Sequence, residues 1–148
     1  MSGPAGPGAE DGGATRPPVR LTAEYAATPD RVFAAWTDVD VLSKWFGCDT
    51  DMLWSVHRWE PVAGGEIHVS LDFDGVPYEV KGRFAVVEPP HRLQYHWEGT
   101  QVVTVTIEAT DAGSRMTVEQ TGLPSGDMDQ IVTEGWTAGM SQLGQLLR

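Results

Sequence analysis

Apolar and polar residues alternate along most of this chain, which is the pattern of β-strands with one buried face. The alternation first occurs in residues 20–26 and returns from residue 55 to residue 118. Turn signals divide the longer stretch, among them Asp74-Gly75, Pro89-Pro90 and Glu98-Gly99. The pattern predicts one strand, followed later by five or six consecutive strands that hairpins join into a curved antiparallel meander.

Two short helices are predicted between the first strand and the meander. Thr28 can cap the first helix, Pro29 suits its first position, and Asp30 is favoured by the positive end of the helix dipole. The second helix is predicted to start at Asp40 and to end at Gly47.

The last segment is amphipathic and is predicted to be a long helix that Asp127 caps. Its apolar residues recur every three or four positions, at Val132, Trp136, Met140, Leu143 and Leu147. A helix of about 20 residues is about 30 Å long, and after an antiparallel sheet its apolar stripe covers one sheet face. The order of elements therefore predicts an α+β helix-grip fold, in which a curved antiparallel sheet wraps around a long C-terminal helix and two short helices follow the first strand.

Three glycines interrupt that last helix, at Gly135, Gly139 and Gly144. Each costs about 1 kcal/mol relative to alanine in a helix interior. Gly135 and Gly139 are four residues apart and share a face of the helix. Two interpretations remain open: the glycines let the helix approach the sheet closely, or they leave room for a ligand.

Composition divides the chain of 148 residues into a tail and one domain. Residues 1–18 are dominated by glycine and proline and contain no large apolar side chain that burial could stabilise. We expect a disordered N-terminal tail over residues 1–18 and a single domain over residues 19–148, a length that can bury its own core.

Charge and composition exclude several classes of partner and site. The formal net charge is −11 with a pI near 4.6, and Lys44 and Lys81 are the only lysines, which disfavours nucleic acid and anionic membranes. No apolar run approaches the ~18 residues that span a bilayer, and the first residues do not resemble a signal peptide. Cys48 is the single cysteine, so no internal disulfide can form. We expect a cytoplasmic protein with neither nucleic acid nor a membrane as partner.

Four groups of residues resemble motifs of the Hsp90-ATPase-activator-homologue family. The groups are residues 28–37 with 44–47, the glycine pair Gly64-Gly65, the acidic-Pro-Pro-x-Arg-Leu turn at 88–93, and Glu134-Gly135-Trp136 with the leucines downstream. They occur in the family's order, and the similarity covers about residues 19–147.

This resemblance implies a START-like fold of the SRPBCC or Bet v1-like type, in which an apolar cavity often lies between the sheet and the long helix. Relatives with this fold include lipid and hormone carriers, polyketide cyclases and a eukaryotic co-chaperone domain. The additional N-terminal domain of that co-chaperone has no counterpart in residues 1–18, so we do not expect direct activation of Hsp90.

Aromatic residues are the candidate ligand-binding residues. The chain has six tryptophans, each with a large apolar surface and one N–H donor. Together with the fold that the resemblance implies, they predict a mixed aromatic lining of a cavity between the sheet and the last helix. The predicted lining residues are Trp45, Phe46, Trp54, Phe73, Tyr95, Trp97, Trp136 and Met140. The alternative is that these side chains simply fill the core.

No residue pattern indicates catalysis, a metal or a cofactor. His68 and His96 alternate with apolar neighbours and should face solvent, whereas His57 could reach the mouth of the cavity. The sequence contains no metal-ligand spacing, no nucleophile elbow and no phosphate-binding loop.

We therefore predict a non-catalytic binding module for a small hydrophobic or aromatic molecule. A cyclase- or hydratase-type enzyme that uses the same pocket and a stress-response protein-interaction module are the alternatives, and exposed edge strands are compatible with a homodimer.

Overall fold

The computed structural model describes residues 17–46, 52–73 and 75–147, with the backbone alone at positions 52, 53 and 73. The expectations for residues 1–16, for Gly47 as a helix end, for Cys48 and for Asp74 lie outside the described residues. The remaining elements follow the predicted order, and the predicted α+β helix-grip fold is confirmed.

Seven strands and three helices make up the described part of the chain. Their bounds in chain order are β1 Val19–Tyr25, α1 Pro29–Thr37, α2 Val39–Trp45, β2 Met52–Trp59, β3 Glu66–Phe73, β4 Val76–Glu88, β5 Arg92–Trp97, β6 Val102–Thr110, β7 Gly113–Thr121 and α3 Gly126–Leu146.

All seven strands form one antiparallel sheet in the order β1-β7-β6-β5-β4-β3-β2. Consecutive hairpins connect β2 to β7, as the alternation predicts, and β1 closes the sheet by pairing with β7. Two β-bulges interrupt the ladder, one in β2 between Val56 and Arg58 and one in β4 between Phe84 and Val86. A bulge inserts one residue and so reverses which side chains face the core beyond it.

Helix starts follow local capping chemistry. Thr28 accepts a hydrogen bond from the Arg31 backbone N–H and precedes Pro29 in the first turn of α1, as predicted. The predicted start of α2 at Asp40 is one residue late, because the Asp38 carboxylate caps the helix by accepting from the Asp40 N–H. The predicted cap of α3 at Asp127 is also wrong. Ser125 occupies that position and accepts from the Met128 N–H at 3.2 Å.

The long helix α3 crosses the concave face of the sheet with its two halves packed differently. In the C-terminal half, Met140 and Leu143 are buried, as is Leu147 directly after the helix, and the Tyr25 hydroxyl donates to the Met140 carbonyl at 3.0 Å. In the N-terminal half, Trp136 is half-buried and Ile131 is 45% exposed. The helix is therefore anchored through β1 at its C-terminal end and covers the sheet less completely at its N-terminal end.

The glycines of α3 are used for close packing at one position. A Cβ at Gly139 would lie 2.9 Å from the Trp45 carbonyl oxygen, a contact that side chains do not make without a shift of the backbone. A Cβ at Gly135 would meet no atom within 4 Å. Of the two interpretations, close approach therefore holds at Gly139, but the element approached is the end of α2 and not the sheet.

The described part of the chain has no helix that is both long and apolar enough to cross a membrane.

Candidate ligand-binding site

A layer of aromatic rings occupies the space between the concave face of the sheet, the two short helices and α3. Trp36 of α1 is at its centre, and its indole ring is fully buried. The ring centroid of Trp36 lies 4.8 Å from that of Trp45, 6.3 Å from Tyr95 and 5.9 Å from Trp136. Rings at these separations attract each other by about 0.5–1.5 kcal/mol per pair beyond their area burial.

A second group of rings continues this layer across the sheet. Trp59 of β2 lies 5.1 Å from Phe84 and 5.7 Å from Tyr95, and Tyr95 lies 5.3 Å from Trp97. All three pairs are edge-to-face, one of the arrangements that the ring quadrupole favours. The rings of α1, α2, β2, β4, β5 and α3 therefore form one connected aromatic cluster.

Hydrogen bonds from the indole N–H groups hold the inner tryptophans in place. Trp45 donates to the Ala35 carbonyl at 3.0 Å and Trp59 donates to the Trp36 carbonyl at 2.6 Å. Trp36 itself donates to the Met116 sulfur at 3.3 Å. Because buried N–H groups without partners are costly, these bonds hold the three indoles in single orientations. These three residues are therefore structural supports of the cluster.

Tyr95 is the exception among the buried polar groups of the cluster. Its side chain has no solvent exposure, and its hydroxyl has no hydrogen-bond partner among the described residues. Burial raises the pKa of this phenol well above its ordinary value, so the group is a neutral O–H donor. Leaving such a hydroxyl unsatisfied costs about 1–3 kcal/mol, which makes it a candidate contact for a bound molecule.

The interior around the cluster carries no charge. Apart from the tyrosines and tryptophans, Ser114 and Gln120 are the only buried polar side chains among the described residues, and neither ionises. Gln120 accepts from the Trp136 indole N–H at 2.8 Å and donates to Gln101 at 2.9 Å. A buried charged group would need a partner of opposite charge, and the described interior offers none.

The cluster reaches the surface at one end. Trp54 and Trp136 are half-buried and flank Phe46, with ring centroids 5.4 Å and 6.0 Å from it. On the sheet beyond them, Leu71 is half-buried and Tyr78 is 52% exposed, since the N-terminal half of α3 leaves these positions uncovered. We call this apolar surface of Trp54, Leu71, Tyr78 and Trp136 the open rim.

Most of the predicted lining residues lie together in the structure, as rings in mutual contact, and the two clefts described below lie elsewhere. Trp45, Phe46, Tyr95 and Trp97 are buried in the aromatic cluster, and Trp54 and Trp136 lie at its open rim. Met140 is apart from them, beside β1, and the side chain of Phe73 lies outside the described residues. The prediction did not include four residues that the cluster depends on, which are Trp36, Trp59, Phe84 and Gln120.

The described residues form at least two surface clefts outside the cluster. One of about 460 Å³ runs between β1 and the C-terminal half of α3. The other, of about 590 Å³, is on the outer face of β2–β5 and is lined by His57, His68 and His96 with Arg58, Lys81 and Arg83 among others. His57 hydrogen-bonds Ser70 there at 2.7 Å, so it does not face the aromatic cluster. In the described parts of the chain, no group of three or more histidine, cysteine or acidic residues could hold a metal ion.

Comparisons with known proteins agree with this architecture. Solved structures with the same fold include a protein from Chromobacterium violaceum, with a TM-score of 0.80 and 22% identity over 89% of this chain and 98% of that chain. A protein from Silicibacter pomeroyi named AHSA1 has a TM-score of 0.76 and 22% identity over 88% of this chain and 96% of that one. No curated protein matches the sequence.

The sequence itself matches one family model, described as Activator of Hsp90 ATPase homolog 1-like protein, over residues 26–148. The chain therefore belongs to the Activator of Hsp90 ATPase homolog 1-like family.

Proposed function

We propose that this chain is a non-catalytic binding module for a small, uncharged hydrophobic or aromatic molecule, held between the concave face of the sheet and α3. The observation that carries the proposal is the Tyr95 hydroxyl, which is buried without a partner among the aromatic rings. Natural proteins satisfy almost all buried polar groups, so an unsatisfied one inside an apolar cluster favours a ligand atom as its partner.

The surroundings of Tyr95 support one class of ligand. Because the described interior has no buried charge, an ionised ligand group would lose its hydration without compensation. The ring faces and edges suit a flat apolar or aromatic body, and the neutral Tyr95 phenol suits one oxygen that accepts a hydrogen bond. We infer a neutral molecule with a single polar head.

The ligand would enter at the open rim. The rings of Phe46, Trp54 and Trp136 touch one another, so a ligand must replace some of these contacts. Trp54 and Trp136 are the half-buried members, and displacing them exposes less apolar surface than displacing Trp36 would. The exchange of ring–ring for ring–ligand contacts keeps most of the attraction of about 0.5–1.5 kcal/mol per pair.

The proposal can be tested with two probes that differ by one hydroxyl. Naphthalene and 2-naphthol, titrated into the full chain and followed by calorimetry and thermal shift, should both bind, with 2-naphthol about tenfold tighter because its oxygen pairs with Tyr95. The Tyr95→Phe variant should bind naphthalene unchanged and lose the preference for 2-naphthol. Tyr25→Phe is the matched control, since Tyr25 is also buried but its hydroxyl pairs with the Met140 carbonyl, away from the aromatic cluster, and should retain it.

Two results would contradict the proposal. The first is that neither probe binds at any concentration up to its solubility limit in water. The second is that Tyr95→Phe keeps the full preference for 2-naphthol. Turnover of a polyketide-like substrate by the wild-type chain, lost in Tyr95→Phe, would instead favour the cyclase-type alternative, with Tyr95 as an acid.

A further inference from the structure

The two edges of the sheet are built differently. At one edge, the β-bulge between Val56 and Arg58 interrupts β2, and a bulge of this kind discourages a further strand from pairing. At the other edge, β1 pairs with β7 in unbroken register over seven residues, from Val19 to Tyr25. Its sequence contains neither proline nor lysine, the residues that commonly protect an edge. The β1 edge is therefore open to pairing.

Space for another strand lies beside this edge. The cleft of about 460 Å³ runs along β1 from Leu21 to Ala26, and α3 forms its other wall. The small residues Thr137, Ser141 and Gly144 form part of this α3 wall, beside Met140 and Gln145. An added strand would lie about 4.8 Å from β1, alongside rather than beneath the helix.

The sequence of β1 is complementary to itself in antiparallel register. With Thr22 opposite Thr22 of a second copy, Arg20 lies opposite Glu24 in both halves of the pair. All three side chains are exposed on the outer face of the sheet. On the inner face, the same register places Leu21 opposite Ala23. Opposite charges in directly facing positions stabilise a strand pair, and like charges destabilise it.

We propose that two copies of this chain associate through β1, in antiparallel register about a two-fold axis at Thr22. The contact is isologous and joins the two seven-stranded sheets into one continuous sheet. Charge complementarity favours a second copy as the partner strand. With Thr22 on the axis, Arg20 of each copy faces Glu24 of the other, so β1 is complementary to itself. Glu24 also lies 3.3 Å from Arg115 within its own chain, so it would sit between two arginines.

Charge reversal tests the association, with sedimentation velocity over a wide range of protein concentration as the measurement. Wild type should show a reversible monomer–dimer equilibrium. Arg20→Glu places like charges in both facing pairs and should weaken association at least tenfold. The double variant Arg20→Glu/Glu24→Arg restores opposite pairs and should regain it. Arg58→Glu, on the bulged β2 edge, is the matched control and should associate as wild type does.

Cross-linking tests the register. In a Cys48→Ser background, the Thr22→Cys variant places two thiols about 5 Å apart across the axis, within reach of a short bismaleimide. Thr117 is the register partner of Thr22 on β7, so a Thr117→Cys variant places its thiols three strand spacings apart, about 14 Å. The first variant should cross-link rapidly and the second should not.

Three outcomes would overturn the proposal. A chain that stays monomeric at every concentration has no such contact. A dimer that Arg20→Glu leaves unchanged, or that cross-links equally at positions 22 and 117, forms elsewhere. A double variant as weak as Arg20→Glu, with unchanged thermal stability, would show that the charges do not face each other.

Discussion

Gly139 offers a sharp test of how α3 packs against the rest of the molecule. In the variant Gly139→Ala the new methyl group would lie 2.9 Å from the Trp45 carbonyl oxygen and 3.6 Å from the Trp45 ring. The carbonyl belongs to the end of α2 and cannot rotate away as a side chain could. The helix must therefore move outward, or the end of α2 must move and disturb the contact of Trp45 with Trp36 at 4.8 Å.

The expected free energy change has two opposing terms. Replacing glycine by alanine in a helix interior stabilises by about 1 kcal/mol. Overpacking a close contact costs about 1–3 kcal/mol. The sum predicts that Gly139→Ala leaves the free energy of unfolding between unchanged and about 2 kcal/mol lower.

Two other glycines of the same helix serve as controls. A methyl group at Gly135 meets no atom within 4 Å, so Gly135→Ala should stabilise by the full propensity term of about 1 kcal/mol. At Gly144 the nearest atom is on the Tyr25 ring at 3.5 Å, an ordinary contact, so Gly144→Ala should stabilise by a similar amount. Gly139→Ala should thus be about 1–3 kcal/mol less stable than Gly135→Ala.

Urea denaturation followed by circular dichroism measures these differences, and thermal unfolding provides a second readout. A change of 1 kcal/mol shifts the Tm of a domain of this size by about 3 °C, so the two variants should differ by about 3–9 °C. If Gly139→Ala proved as stable as Gly135→Ala, the close approach of α3 to Trp45 would be wrong. That result would instead favour the alternative interpretation, in which Gly139 leaves room for a ligand.

The two buried tyrosines should respond oppositely to loss of the hydroxyl and together to high pH. Tyr25→Phe removes the 3.0 Å bond to the Met140 carbonyl and should lower the free energy of unfolding by about 1 kcal/mol, whereas Tyr95→Phe removes an unpartnered group and should raise it by about 1 kcal/mol, both measured by urea denaturation. Burial raises the pKa of both phenols above their ordinary value of about 10, so the unfolded chain releases these protons first as pH rises. Stability should therefore be complete below pH ~10 and fall above it by about 1.4 kcal/mol per pH unit for each tyrosine. Denaturation curves at pH 8 to 11.5 check this, and equal slopes in wild type and in the double Tyr→Phe variant would contradict it.

The fold could be predicted because its signals are local. Alternation in the meander and the spacing of Met140, Leu143 and Leu147 depend on residues near one another in sequence, and the structure agrees with both. Local preference does not select the capping position of α3, since Ser125 and Asp127 are both good cap residues two positions apart. The choice between them depends on how the chain leaves β7, which local preference does not determine.

The candidate site was predicted less completely because it depends on packing between distant segments. Trp54 and Trp59 are five residues apart, and strict alternation would place them on opposite faces. The bulge between Val56 and Arg58 turns both tryptophans toward the cluster. No residue pattern in β2 predicts this bulge. Phe84 could have been found, since it shares its period with Val80 on β4. Nothing in the local pattern indicated that Trp36 would contact four other rings.

The contact between Trp36 and Trp136 also gives the molecule a built-in optical signal. Two indoles 5.9 Å apart couple electronically, and they belong to different helices, one fixed deep inside and the other on the loosely covered half of α3. Displacement of that half would separate this pair while the hydrogen-bonded indoles of Trp45 and Trp59 keep their places. Near-ultraviolet circular dichroism and intrinsic fluorescence should therefore detect local movement of the helix without any label, and distinguish it from global unfolding.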